Sequence, residues 1–95
     1  MASVTHEPAP TPAHTRRRRL LFRATHRGTH ETDLLVGDFV AALLETFTDA
    51  EMDALEAVME LPDVELADWL TGRLPIPEDV ESPMLRAMRD AALAR

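Results

Sequence analysis

Two sets of residues in this chain have types and spacing suited to chemistry: the run Arg16–Arg19, and the pattern Arg27-Gly28-x-x-Glu31. Glycine accepts positive φ, so Gly28 predicts a tight turn between two helices, with Arg27 and Glu31 projecting from one exposed corner. Arginine presents a planar fork to carboxylate, phosphate or carbonyl oxygens, and a glutamate there accepts hydrogen bonds and favours a helix N-terminus. Two roles are open to the pair. It contacts a partner molecule, or it forms an Arg27–Glu31 ion pair that braces the turn and, being exposed, contributes only about 0–1 kcal/mol. His26 and His30 stand four apart beside Glu31, a spacing that supplies metal ligands on a continuous helix. Gly28 interrupts that helix, so no metal is expected. The arginine run suits the phosphates of nucleic acid or acidic lipid, or forms the solvated start of a helix.

What is missing narrows the chemistry further. The 95 residues contain no cysteine, which removes disulfides, thiolate zinc sites and cysteine nucleophiles. No serine, histidine and acid fall into a nucleophile motif, and three glycines with no glycine-rich phosphate loop argue against a dinucleotide fold. Four aromatic side chains, Phe22, Phe39, Phe47 and Trp69, are too few for a base-stacking platform. The chain is read as no enzyme in its own right.

Charge is unevenly spread along the chain. Residues 1–30 carry a net +5 and residues 31–95 a net -12, which together give the -7 of the whole. A body so acidic repels a phosphate backbone, whereas a basic edge on it suits docking to a partner by that edge.

The elements that must position these residues are helical. Residues 1–15, with Pro8, Pro10 and Pro12 alternating, read as a disordered or polyproline-like tail. A single domain then spans 16–95. A first helix is expected from Arg16 to His26, with Leu20, Leu21 and Phe22 apolar and the arginines on the opposite faces. A second is expected over about 29–46, its stripe formed by Leu35, Val36, Phe39, Val40, Leu43, Leu44 and Phe47 at helical spacing, with Gly37 marking a close helix crossing. Thr48 with Glu51 is a capping box, and Phe47 with Met52 a hydrophobic staple. Met52, Leu55, Val58 and Met59 line the third helix, which Pro62 ends. Asp63 caps a short fourth helix holding Leu66, Trp69 and Leu70, stopped by Gly72. Ser82-Pro83 opens a last helix with Met84, Leu85 and Met88, and the methionine pairs are packing residues. No segment alternates as a strand does. The expectation is an all-α bundle of about five short helices.

An arginine-rich first helix, Arg27-Gly28-x-x-Glu31, Asp33, Phe39, a capped helix at Thr48, and Asp63-Val64-Glu65-Leu66 leading to Trp69 follow one another in this order. In this the chain resembles the succinate dehydrogenase flavinylation (FAD assembly) factors of the SdhE type, from about Arg17 to Leu93. The resemblance implies an assembly factor that binds the flavoprotein subunit of succinate dehydrogenase, or of a related fumarate reductase, and promotes covalent attachment of FAD to it. FAD is then the cofactor of the client, and none is bound tightly here. It further implies that Arg27, Gly28 and Glu31 meet the client, with His30 and Asp33 as weaker candidates. Thr29-His30 stands where a hydrophobic-basic pair is common in the family. The alternative is a small nucleic-acid-binding regulator using the arginine run. No apolar run approaches the roughly 20 residues that span a bilayer, and the chain is expected to be cytoplasmic and a monomer when free.

Overall fold

The computed structural model describes residues 11–95, and within them the chain forms five α-helices and no strand. These are α1 (Pro12–Thr25), α2 (His30–Leu43), α3 (Asp49–Met59), α4 (Asp63–Leu70) and α5 (Pro83–Leu93), with a 3₁₀ turn at Leu44–Thr46 between α2 and α3. Residues 1–10 of the expected tail lie outside the described residues. The tail boundary at 15 is corrected by the start of α1. Thr11 caps it by accepting from the His14 N–H, and Pro12 takes the first turn, where its missing N–H costs no intrahelical bond.

Local sequence signals set most other boundaries. Thr48 and Glu51 make the reciprocal capping box of α3, at 3.2 and 2.9 Å. Ser82 caps α5 through the Leu85 N–H, with Pro83 in the first turn. Gly72, at φ +77°, follows the last turn of α4. Three expectations shift. The second helix ends at Leu43 and tightens into the 3₁₀ turn. Helix α3 ends at Met59, ahead of Pro62. Pro62, not Asp63, occupies the cap position of α4, which leaves the Asp63 carboxylate free for a longer-range partner.

One continuous core joins all five helices. Leu20 and Ala24 enter from α1, Val36, Phe39 and Val40 from α2, Leu55 and Val58 from α3, Leu66 and Trp69 from α4, and Leu85 and Met88 from α5. Helix α5 packs against α2, α3 and α4, and α1 lies along α2 and α3. Gly37 marks the α1–α2 crossing, as its spacing predicts. A Cβ there would lie 3.0 Å from the Thr25 methyl and 3.5 Å from the Ala24 carbonyl.

Helix α1 differs from its expected form. Phe22 is two residues from Leu20, about 200° around the helix, and stands outside the core at 62% exposure. The arginines are not confined to the outer face. Arg16 donates to Asp53 and Glu56 of α3, Arg17 to the carbonyls of Leu44 and Phe47, and Arg23 to Glu60. Hydrogen bonding to Asp53, then to Glu56, raises the Arg16 pKa above its ordinary value. The basic run is therefore in part a set of braces across the bundle.

Candidate functional site

The turn between α1 and α2 has the predicted backbone. Gly28 sits at φ +105°, with open space where a Cβ would be, so the constraint on it is conformational and not steric. Thr29 caps α2 by accepting from the Thr32 N–H, and its hydroxyl also pairs with the buried Thr32 hydroxyl. Gly28, Thr29, His30 and Glu31 form an exposed edge.

Arg27 does not share that edge, which corrects the expectation of two side chains projecting together. Its side chain is only 8% exposed. Nε donates to Asp63 Oδ1 at 2.7 Å, Nη1 to the Met59 carbonyl at 2.8 Å, and Nη2 to the Leu61 carbonyl at 2.8 Å. The two carbonyls lie at the end of α3, where helical carbonyls lack intrahelical partners, and a planar fork is the side chain that can reach both together with a carboxylate. The Arg27 N–H in turn donates to Asp33 Oδ1 at 2.6 Å. Arg27 and Asp33 thus lock the α1–α2 turn onto the α3–α4 corner.

Glu31 does not pair with Arg27 either. It accepts from Arg73 at 2.8 Å, on a half-open surface beyond α4, so the proposed brace between the two motif residues is replaced by two separate long-range contacts. His30 is exposed at the first position of α2. His26 folds back on its own helix. Its Nδ1–H donates to the Phe22 carbonyl at 2.8 Å, and its ring stacks on that of Phe22 with centroids 4.0 Å apart. Among the described residues no group of three His, Cys, Asp or Glu side chains could hold a metal ion.

Apolar side chains flank the latch on both sides. Phe22 and Arg23 border a shallow depression that reaches Arg27, Met59 and Asp63. On its other side Asp63 borders a second depression with Thr29, Glu31 and Val64, and Val64 is 75% exposed. Both depressions at this corner are open and shallow.

The family model described as flavinator of succinate dehydrogenase matches residues 18–92, and so takes in the whole latched corner. The chain belongs to this family. It is 59% identical over 73 residues to the FAD assembly factor SdhE of Acetobacter pasteurianus, covering 77% of this chain and 67% of that protein. It is 41% identical over 59 residues to the mitochondrial succinate dehydrogenase assembly factor 2 of Mycosarcoma maydis, covering 62% of this chain and 25% of the relative. Against the protein of the same name in Yarrowia lipolytica it is 32% identical over 92 residues, covering 87% and 63%. The chain thus spans between a quarter and two thirds of the length of these relatives. No solved structure matches it.

Several residues of this flavinator-family corner were not readable as site residues. Asp63 was visible as a local cap and as part of the acidic segment before Trp69, but not as a partner of Arg27, which lies 36 residues earlier. The Met59 and Leu61 carbonyls carry no side-chain signal at all. Arg73, the partner of Glu31, stands 42 residues beyond it. Trp69, by contrast, is a core residue at 7% exposure.

Proposed function

We propose that this chain is an assembly factor that binds the flavoprotein subunit of succinate dehydrogenase, or of a related fumarate reductase, and promotes covalent attachment of FAD to that subunit. The observation that carries this reading is the family match over residues 18–92. FAD belongs to the client, and the chain itself does no bond chemistry. The shallow, open depressions around Arg27 are consistent with that division of labour.

The contribution is conformational. A factor that binds the reactive arrangement of flavin and histidine more tightly than the unreactive one shifts the client population toward it. Raising a reactive state from about 1% to about 50% needs roughly 2.7 kcal/mol of differential binding, within reach of a modest interface. Within the motif the roles divide. The Gly28 backbone, His30 and Glu31 meet the client on the exposed edge, and Arg27 with Asp33 holds that edge in place. Glu31 is available because its pairing with Arg73 is half-exposed and exchangeable. The free chain acts as a cytoplasmic monomer. Among the described residues no helix is long and apolar enough to cross a membrane.

The pairing of the arginine run speaks against the nucleic-acid alternative. Arg16 and Arg17 are engaged inside the bundle, which leaves a small cationic footprint on an acidic body. The test is the flavin fluorescence of the client in a denaturing gel, with and without this protein. A covalent flavin signal that rises when the factor is present is the expected result, and an unchanged signal overturns the reading.

A further inference from the structure

Phe22 is an unusual residue to leave in solvent on a helix whose other large apolar side chains face inward. Its ring is held flat against His26, 13° from parallel, and the His26 Nδ1–H fixes the imidazole to the Phe22 carbonyl and lies 3.0 Å from the Thr25 hydroxyl. An aromatic ring already held in one orientation loses little freedom when something seats on it. Around it runs a shallow groove lined by Thr15, Arg18, Arg19, Phe22 and Arg23. Arg23 is paired with Glu60, whereas Arg18 and Arg19 make no ion pair with another described residue. Exposed aromatics flanked by arginines are the composition of interface anchors.

The geometry points to this face of α1 as a second docking surface for the flavoprotein client, taking an acidic segment with an apolar side chain that packs on Phe22. The inference rests on the function proposed above. Two observations favour that occupant. The first is continuity: Phe22 and Arg23 border both this groove and the depression leading to Arg27, Met59 and Asp63, so one partner can cover both without a gap. The second is charge. On a chain of net charge -7, Arg18 and Arg19 form a local positive site that attracts an acidic segment while the acidic body repels nucleic acid. Two arginines also give a nucleic-acid backbone too few phosphate contacts for stable binding at physiological salt.

Binding of the full-length chain to the purified apo flavoprotein subunit tests this, by titration calorimetry at low and high salt beside covalent flavin yield. The variants are Phe22→Ala and the double variant Arg18→Glu/Arg19→Glu. All three side chains are exposed, so melting should match the wild type. Phe22→Ala is expected to weaken binding about tenfold or more. The double variant is expected to weaken it similarly at low salt and to remove most of its salt dependence. Wild-type affinity and salt response in both variants would overturn the second surface while leaving the assembly function intact. So would wild-type binding to duplex DNA or to phosphatidylserine vesicles that these variants abolish without affecting the client. A wild-type chain that neither binds the subunit nor raises its covalent flavin would overturn both proposals.

Discussion

The guanidinium of Arg27 serves three acceptors that no other described side chain supplies with donors, and this sets what each motif residue does when replaced. Arg27→Ala strands two carbonyls and a half-buried carboxylate, and should lower stability by about 2–3 kcal/mol. Arg27→Lys should recover only part of this, because one ammonium cannot reach three separated acceptors in a plane. Glu31→Ala should shift stability by less than about 1 kcal/mol, since its pair with Arg73 is half-exposed, yet it should still lower the covalent flavin yield of the client. Gly28→Ala should cost about 1–3 kcal/mol through backbone strain alone, as a Cβ there meets no neighbour. Circular dichroism melts read beside flavin yield separate the three. An Arg27→Ala variant that melts like the wild type would show that the latch contributes nothing to stability.

At the scale of the helices, local signals were legible and long-range ones were not. The capping box at Thr48 and the Ser82-Pro83 start involve residues within three positions of each other, and they stand where expected. Thr48→Ala should cost about 1 kcal/mol in a denaturant titration. Gly37 was legible as a crossing, although not which residue it meets. Gly37→Ala gains up to about 1 kcal/mol of helix propensity but presses on the Thr25 methyl. The Thr25 hydroxyl bonds to the Leu21 carbonyl at 2.9 Å, which pins that methyl, so the melting temperature should fall. Thr25→Ser removes the methyl and keeps the hydroxyl. In that background Gly37→Ala should be neutral or stabilising, and an unrelieved loss would place the strain elsewhere. Two misreadings share a cause. The prolines before α1 were read as blocking helix, although Pro12 occupies a position where proline is tolerated. Phe22 reads as part of the apolar side of α1 with Leu20 and Leu21, although helical rotation turns it outward. The site was legible as a motif and illegible as a geometry, because the partners of the Arg27 and Glu31 side chains lie 32 to 42 residues away.

Across the whole molecule, α1 is held by an apolar seam and by arginine braces to α3 and to the chain that precedes it, and its first turn supports the start of that arrangement. Deleting residues 1–15 removes the Thr11 cap and leaves Arg16–Arg19 at a helix N-terminus, where the backbone dipole disfavours positive charge. A loss of about 1 kcal/mol in a domain of this size lowers the midpoint by about 4–8 °C. The 1–15 deletion should therefore melt below the 1–10 deletion by several degrees. Equal midpoints would mean that the first turn of α1 adds nothing.

Every brace from Arg16, Arg17, Arg23 and Arg27 runs forward in sequence, to partners 27 to 40 residues later. At about 5–20 residues per second, the 40 residues between Arg16 and Glu56 take about 2–8 s to synthesise. Until those partners are made, the arginines of residues 16–27 have nothing of their own to hold, in a segment (1–30) that carries +5. The acids that offset this charge follow directly: the five carboxylates from Glu31 to Asp49 cancel the +5, and Glu51, in the first turn of α3, makes the sum negative. The order of synthesis thus makes the basic segment wait for the acidic one that neutralises it.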